Sequence, residues 1–131
     1  MDYQPAVELV REAIPDVVAV YAFGSRAHGT SRSESDLDLA VLAPRRLPAE
    51  LRWTLQEQLA RRLRVNVDLI DLRSVPTVMQ KEIVATGNVV FGLDAPARRA
   101  FEGLVFSSYA RLNEERREIL QRVLEDGRVH G

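Results

Sequence analysis

The sequence predicts an α/β (α+β) fold in which about four short strands are flanked by helices and followed by a C-terminal helical extension. Short apolar runs of strand length, rich in β-branched residues, alternate with longer segments whose apolar residues recur at helical spacing. The 131 residues, 46% of them hydrophobic and 28% charged, suit a compact domain with a real core. We therefore expect a single domain, with its core over about 3–94 and the helical extension over about 95–126.

The composition excludes several classes of function. A net charge of −1 argues against a non-specific nucleic-acid binder, which is normally strongly basic. The absence of cysteine excludes a disulfide scaffold and thiolate chemistry. No signal-like or long apolar segment occurs at the N-terminus. We therefore expect a cytoplasmic protein with no membrane partner and no direct nucleic-acid binding.

The first part of the chain predicts one packing helix and two strands. Residues 3–14 carry apolar side chains at helical spacing until a proline breaks the helix. Residues 16–23 form a short β-branched run that ends at Gly24, and residues 36–42 form a second strand. The apolar residues that follow Asp38 indicate a strand buried on both sides, as a central strand is.

The remainder of the chain predicts three helices and two further strands. In order, these are a helix from Pro48 to about Leu63, a strand over 65–71, a helix from Ser74 and Pro76 to Gly87, a short strand over 89–91, and a long C-terminal helix capped by Asp94 and Pro96. We expect an interruption of the last helix near Gly103 or Asn113, and fraying from Glu125 onward.

The stretch that joins the first two strands carries a candidate phosphate site. Gly24 has no Cβ, so a ligand can approach its backbone closely. Ser25 and the amides after it can open a helical turn whose free N–H groups bind an anion. Arg26 adds a cation whose guanidinium matches phosphate geometry. These three residues therefore predict phosphate binding.

Two aspartates at the start of the second strand predict a metal site. Because side chains alternate across a strand, Asp36 and Asp38 share a face, with Cα atoms about 6.5 Å apart. Two like charges there are costly unless a cation neutralises them. Mg²⁺ prefers oxygen ligands, and a pair of ions about 4 Å apart can clamp the attacking and leaving oxygens of a phosphoryl transfer. The alternative is that both aspartates are turn and edge residues after a polar loop.

This motif resembles the signature of the DNA polymerase beta-like nucleotidyltransferase superfamily. The signature is Gly24-Ser25, ten further residues, and then Asp36-Leu37-Asp38. The fuller pattern is similar to the minimal nucleotidyltransferase (MNT) branch, and it adds Arg26, Gly29, Arg32, Ser35 and Leu39. The resemblance implies a palm fold with a mixed sheet and a third carboxylate on a later strand.

The strand over residues 65–71 offers two candidates for that third carboxylate. Asp68 lies between apolar neighbours inside the strand, where an unpaired charge is costly, so a site or a partner is implied. Asp71 points to the opposite face at the strand end, and turn or helix-entry chemistry explains it better. We therefore favour Asp68.

A second resemblance covers most of the chain. Phe91-Gly92-Leu93-Asp94 and segments within residues 99–127 are similar to the MntA-type antitoxins of HEPN/MNT (HepT/MntA, type VII) toxin–antitoxin pairs. The resemblance implies that AMP passes from ATP to a tyrosine hydroxyl of a cognate HEPN ribonuclease toxin, which is thereby silenced. It also implies a hetero-oligomer with that toxin. His28 departs from the cation expected at its position.

These resemblances imply a mechanism and leave two rivals open. Asp36 and Asp38 would hold two Mg²⁺ ions, residues 24–26 the β- and γ-phosphates, and Asp68 one metal and the acceptor hydroxyl, which it helps to deprotonate. One rival is a small-molecule nucleotidyltransferase of the aminoglycoside-modifying type, which usually needs an added C-terminal domain for its acceptor. The other is an antitoxin that acts by non-catalytic binding, which would need no carboxylates.

Overall fold

The computed structural model describes residues 1–24 and 37–130, with side chains through Gly127. The helices in this part of the chain are α1 (Gln4–Ala13), α2 (Ala49–Leu63), α3 (Thr77–Thr86) and α4 (Pro96–His130). The strands are β1 (Ala19–Phe23), β2 (Leu37–Leu42), β3 (Val67–Asp71) and β4 (Asn88–Phe91). The predicted fold class is confirmed, although β1 and β3 begin three and two residues later than predicted.

The four strands form one mixed sheet in the order β3-β2-β1-β4. β1 pairs antiparallel with β2 and with β4, whereas β2 and β3 are parallel and are connected through α2. The prediction of a central second strand is confirmed, because five of its six residues are fully buried: Leu37, Leu39, Ala40, Val41 and Leu42.

Each face of the sheet packs against its own helices. On one face, α1 and α2 form a core with strand residues such as Val20, Leu39 and Leu69. On the other face, α3 and the beginning of α4 cover Tyr21 and Leu42, among others. Side chains alternate along a strand, so Asp38 and Asp68 fall on this second face, beyond the part that α3 and α4 cover. Asp38 is half-buried there and Asp68 is exposed.

β3 is an edge strand whose outer side is held by α2. Arg52 Nη1 donates a hydrogen bond of 3.0 Å to the Leu69 carbonyl, and the Leu69 N–H donates to Gln56 Oε1 at 2.9 Å. Unpaired groups on an edge strand invite pairing with another chain. At Leu69 both backbone groups are already satisfied.

α4 is a continuous helix of 35 residues. The prediction of an interruption near Gly103 or Asn113 is wrong, and the helix continues past Glu125 to His130. A glycine inside a helix costs about 1 kcal/mol relative to alanine, which a long hydrogen-bonded helix tolerates. A Cβ at Gly103 would have no neighbour within 4 Å, so no packing contact depends on this glycine.

The first turns of α4 are attached to the sheet by a buried polar cluster. The Tyr21 hydroxyl donates a 2.8 Å hydrogen bond to Glu102 Oε2, and Arg98 pairs with the same oxygen. Arg98 Nη2 also donates to the Leu93 carbonyl at 2.8 Å. Burial, together with the hydrogen bond to Glu102, raises the pKa of Tyr21, so this side chain stays a neutral donor. From residue 114 to residue 127, by contrast, every side chain of α4 is exposed.

In the described part of the chain, no helix combines the length and the apolar character that crossing a bilayer requires.

Candidate active site

Asp38 in β2 and Asp68 in β3 are direct neighbours across the sheet. The parallel register pairs their Cα atoms, and neighbouring strands lie about 4.8 Å apart. Both side chains belong to the face on which α3 and α4 leave the beginnings of β2 and β3 open. The structure therefore brings together two of the three carboxylates that the sequence predicts.

Gly24 is the third predicted site residue that the structure describes. Ser25, Arg26 and Asp36 lie outside the described residues, as does His28. Within residues 1–24 and 37–127, no group of three or more His, Cys, Asp or Glu side chains could hold a metal ion. The predicted triad needs Asp36 as its third member, so its assembly stays a prediction.

Gly24 ends β1 directly beside Asp38. Its neighbour Phe23 pairs with Asp38 across the strands, and Gly24 has a φ of 79°, in the region that favours glycine. A Cβ at this position would lie 2.3 Å from Asp38 Oδ2. The sequence predicts Gly24 as a phosphate contact. The structure adds a second reason for glycine, because a Cβ here would force the Asp38 carboxylate out of its position.

We expect Gly24→Ala to damage the site more than the fold. The new Cβ would displace the Asp38 carboxylate, and the positive φ would add strain of about 1–2 kcal/mol. Displacing a catalytic group by about 1 Å can cost roughly 100-fold in rate, so turnover should fall by about 10- to 100-fold. Urea unfolding and the rate of nucleotidyl transfer, measured on the same preparation, check this expectation.

Gly103→Ala is the matched control, because a Cβ there meets nothing within 4 Å. It should leave turnover unchanged and stabilise α4 by up to about 1 kcal/mol. Normal turnover in Gly24→Ala would contradict the close packing of Gly24 against Asp38.

Asp71, the alternative third carboxylate, has a structural role. Its side chain is 3% exposed and accepts hydrogen bonds from the Leu47 N–H at 2.7 Å and from Ser74 Oγ at 2.8 Å. The Arg73 N–H donates a third bond at 3.1 Å. These bonds tie the end of β3 to the segments that lead into α2 and α3. The prediction that Asp71 serves turn chemistry is confirmed.

A cavity of about 300 Å³ adjoins Asp68 at the edge of the sheet. Leu47, Ile70 and Val75 give it apolar walls, and Arg52 lies in the lining together with Asp68. Sequence reasoning missed this cavity because its walls come from three segments, and no local signal shows that these segments meet. The sequence marked each segment separately, through the helix start at Pro48, the strand that carries Asp68, and the helix start at Ser74 and Pro76.

Comparison with known proteins supports the nucleotidyltransferase resemblance. Residues 7–95 match the family described as polymerase beta, nucleotidyltransferase. Protein adenylyltransferase MntA from Shewanella oneidensis is 37% identical to this chain over 118 residues. The alignment covers 90% of this chain and 84% of that protein.

Solved structures agree with the sequence comparisons. A crystal structure of a toxin–antitoxin with AMP-PNP superposes with a TM-score of 0.84 at 35% identity, covering 95% of this chain and 99% of that one. The tri-AMPylated Shewanella oneidensis HEPN toxin in complex with an MNT antitoxin matches with a TM-score of 0.74 at 35% identity, covering 92% and 93%. Both resemblances drawn from the sequence are thus confirmed. Since the family match spans β1, β2 and β3 with Gly24, Asp38 and Asp68, the chain belongs to the polymerase beta nucleotidyltransferase family.

Proposed function

We propose that this protein is an antitoxin-type protein adenylyltransferase. It transfers AMP from ATP to a tyrosine of a cognate HEPN ribonuclease toxin, neutralises the toxin, and forms a hetero-oligomer with it. The observation that supports this proposal most strongly is the similarity to two proteins, an adenylyltransferase and an antitoxin in complex with an AMPylated HEPN toxin. Each similarity extends over about nine-tenths of the chain. AMP-PNP is an ATP analogue, and its presence in a similar structure supports ATP as the nucleotide. We place the reaction in the cytoplasm, where ATP and a ribonuclease toxin meet.

The carboxylates of this chain suit magnesium. Asp38 and Asp68 present oxygen ligands side by side on an open face of the sheet, and strand alternation predicts that Asp36 shares this face. We assign Asp36 and Asp38 as ligands of two Mg²⁺ ions, with Asp68 as a ligand of one. When bound, the ions would offset the charge of the triphosphate and stabilise both the attacking and the leaving oxygen.

We assign Asp68 as the group that receives the acceptor proton. The tyrosine oxygen attacks the α-phosphorus of ATP, and a new oxygen–phosphorus bond forms as the bond to the bridging oxygen breaks. Pyrophosphate leaves, and the hydroxyl proton passes to the Asp68 carboxylate. Gly24, Ser25 and Arg26 would hold the β- and γ-phosphates in place. Positioning and charge neutralisation supply most of the acceleration in such chemistry.

Intact-mass spectrometry tests the proposal. The protein is incubated with ATP, Mg²⁺ and the HEPN-domain protein encoded by the neighbouring reading frame. We expect the partner to gain the mass of one or more adenylyl groups, with peptide mapping to a tyrosine, and to lose ribonuclease activity. Omission of ATP should abolish both effects.

Two other outcomes would favour the rival functions. Inhibition of the ribonuclease without ATP and without added mass would indicate an antitoxin that acts by binding. Transfer of AMP to an aminoglycoside, with none to the HEPN protein, would indicate a small-molecule nucleotidyltransferase.

A further inference from the structure

We propose that the cavity beside Asp68 is the acceptor subsite, into which the acceptor tyrosine of the partner inserts across the free edge of the sheet. This inference rests on the proposed function and specifies where, and in which manner, the protein substrate is bound. Three observations support it: the order of the strands, the residues that line the cavity, and the hydrogen bonds already made at the edge of β3.

The order of the strands sets the direction from which the acceptor approaches. Gly24, where the predicted phosphate loop begins, ends β1, while Asp38 lies on β2 and Asp68 on β3. In an in-line displacement, the attacking oxygen and the leaving pyrophosphate lie on opposite sides of the phosphorus. With the pyrophosphate on the β1 side, the hydroxyl comes from the β3 side. β3 is the last strand on that side, so an acceptor that comes from there reaches Asp68 past the edge of the sheet.

The cavity at this edge suits an aromatic ring that ends in a hydroxyl. Its volume is about 300 Å³, and Leu47, Ile70 and Val75 supply apolar surface for a ring to pack against. Asp68 belongs to the same lining, where its carboxylate can accept the hydroxyl proton. A pocket with apolar walls and a few polar groups is typical of a site that holds one side chain or small ligand.

The β3 edge favours side-chain insertion over strand addition. Arg52 and Gln56 already bond the carbonyl and the N–H of Leu69, so a partner cannot pair with these groups. Arg52 lines the cavity, and its Nη1 holds the strand through the Leu69 carbonyl. A planar guanidinium also stacks well on an aromatic ring. Recognition at this edge therefore depends on what enters the cavity.

Filling the cavity with an indole tests the inference. Ala49→Trp adds bulk at an exposed position of the lining, where the fold tolerates it, and Val75→Trp adds bulk at a half-buried wall. Thr54→Trp is the matched control. Thr54 lies on α2, as Ala49 does, but it lines a different cavity, of about 310 Å³, between α1 and α2. For each variant we would measure AMP transfer to the HEPN partner, AMP-PNP affinity by calorimetry, and the thermal unfolding midpoint.

We expect Ala49→Trp and Val75→Trp to slow transfer by about 10-fold or more while AMP-PNP affinity stays within about twofold. Thr54→Trp should transfer AMP at the wild-type rate. Wild-type rates in both filled variants would overturn the inference. A parallel loss of AMP-PNP affinity would also overturn it, because the cavity would then serve the nucleotide. If the wild-type protein transfers no AMP to the partner, the proposed function itself is wrong, and the subsite with it.

Discussion

We expect replacement of Asp36 and Asp38 together by asparagine to abolish magnesium-dependent AMP transfer and to leave the protein folded. Asparagine has nearly the shape of aspartate, so the close packing of residue 38 against Gly24 is preserved. The substitution would remove the charge that we assign to cation binding, and with it the mutual repulsion of the carboxylates. Loss of such electrostatic stabilisation costs about 1,000-fold or more in turnover. Transfer of labelled AMP and urea unfolding measure the two effects.

The control for this double variant is Asp126→Asn, which removes an exposed carboxylate from the far end of α4. It should transfer AMP at the wild-type rate. Transfer by the double variant at near the wild-type rate would show that the metal ligands are misassigned.

Asp68→Ala should impair catalysis, whereas Asp71→Ala should lower the stability of the fold. Asp68 is exposed, and we assign it to the acceptor proton, so its loss should lower the rate of the chemical step by about 100-fold or more with little change in nucleotide affinity or stability. Asp71 is buried and accepts three hydrogen bonds, so its loss should cost about 2–3 kcal/mol of unfolding free energy. Single-turnover kinetics and urea unfolding on both variants separate the two roles.

Two results would contradict these assignments. If Asp68→Ala lost nucleotide binding but kept the turnover of the bound fraction, Asp68 would be a ground-state ligand and not the proton acceptor. If the turnover of folded protein depended on Asp71 and not on Asp68, the role of proton acceptor would belong to Asp71.

The sequence predicted what depends on local signals. Alternation within β3 placed Asp68 and Asp71 on opposite faces, and the structure agrees. The apolar run after Asp38 predicted a central strand, because burial on both faces leaves a direct mark on composition. The low helix propensity of Gly103 wrongly predicted an interruption, because the hydrogen bonds of a 35-residue helix stabilise it by more than one glycine costs.

Contacts between distant segments were not predictable in this way. The alternation of side chains along each strand predicted the face on which Asp38 and Asp68 lie. The register that makes them neighbours depends on how the connection through α2 packs against the sheet. The hydrogen bonds from Arg52 and Gln56 to Leu69 depend on the same packing, and so does the cavity beside Asp68. The roles of the predicted site residues stay predictions, and three of these residues, Ser25, Arg26 and Asp36, also lie outside the described ranges.

The polar cluster of Tyr21, Arg98 and Glu102 joins the N-terminal end of α4 to the sheet, so we expect this end of the helix to unfold together with the sheet. The family match ends at residue 95, just before α4 begins, yet Phe101 and Val105 complete the core that contains Tyr21. A sheet without these turns would expose that core and leave the buried Tyr21 hydroxyl without Glu102 as its acceptor. The sheet and the first three turns of α4 should therefore melt in a single transition. The exposed stretch over 114–127 contributes little to that transition, so its sequence can change while the melting temperature of the sheet stays constant.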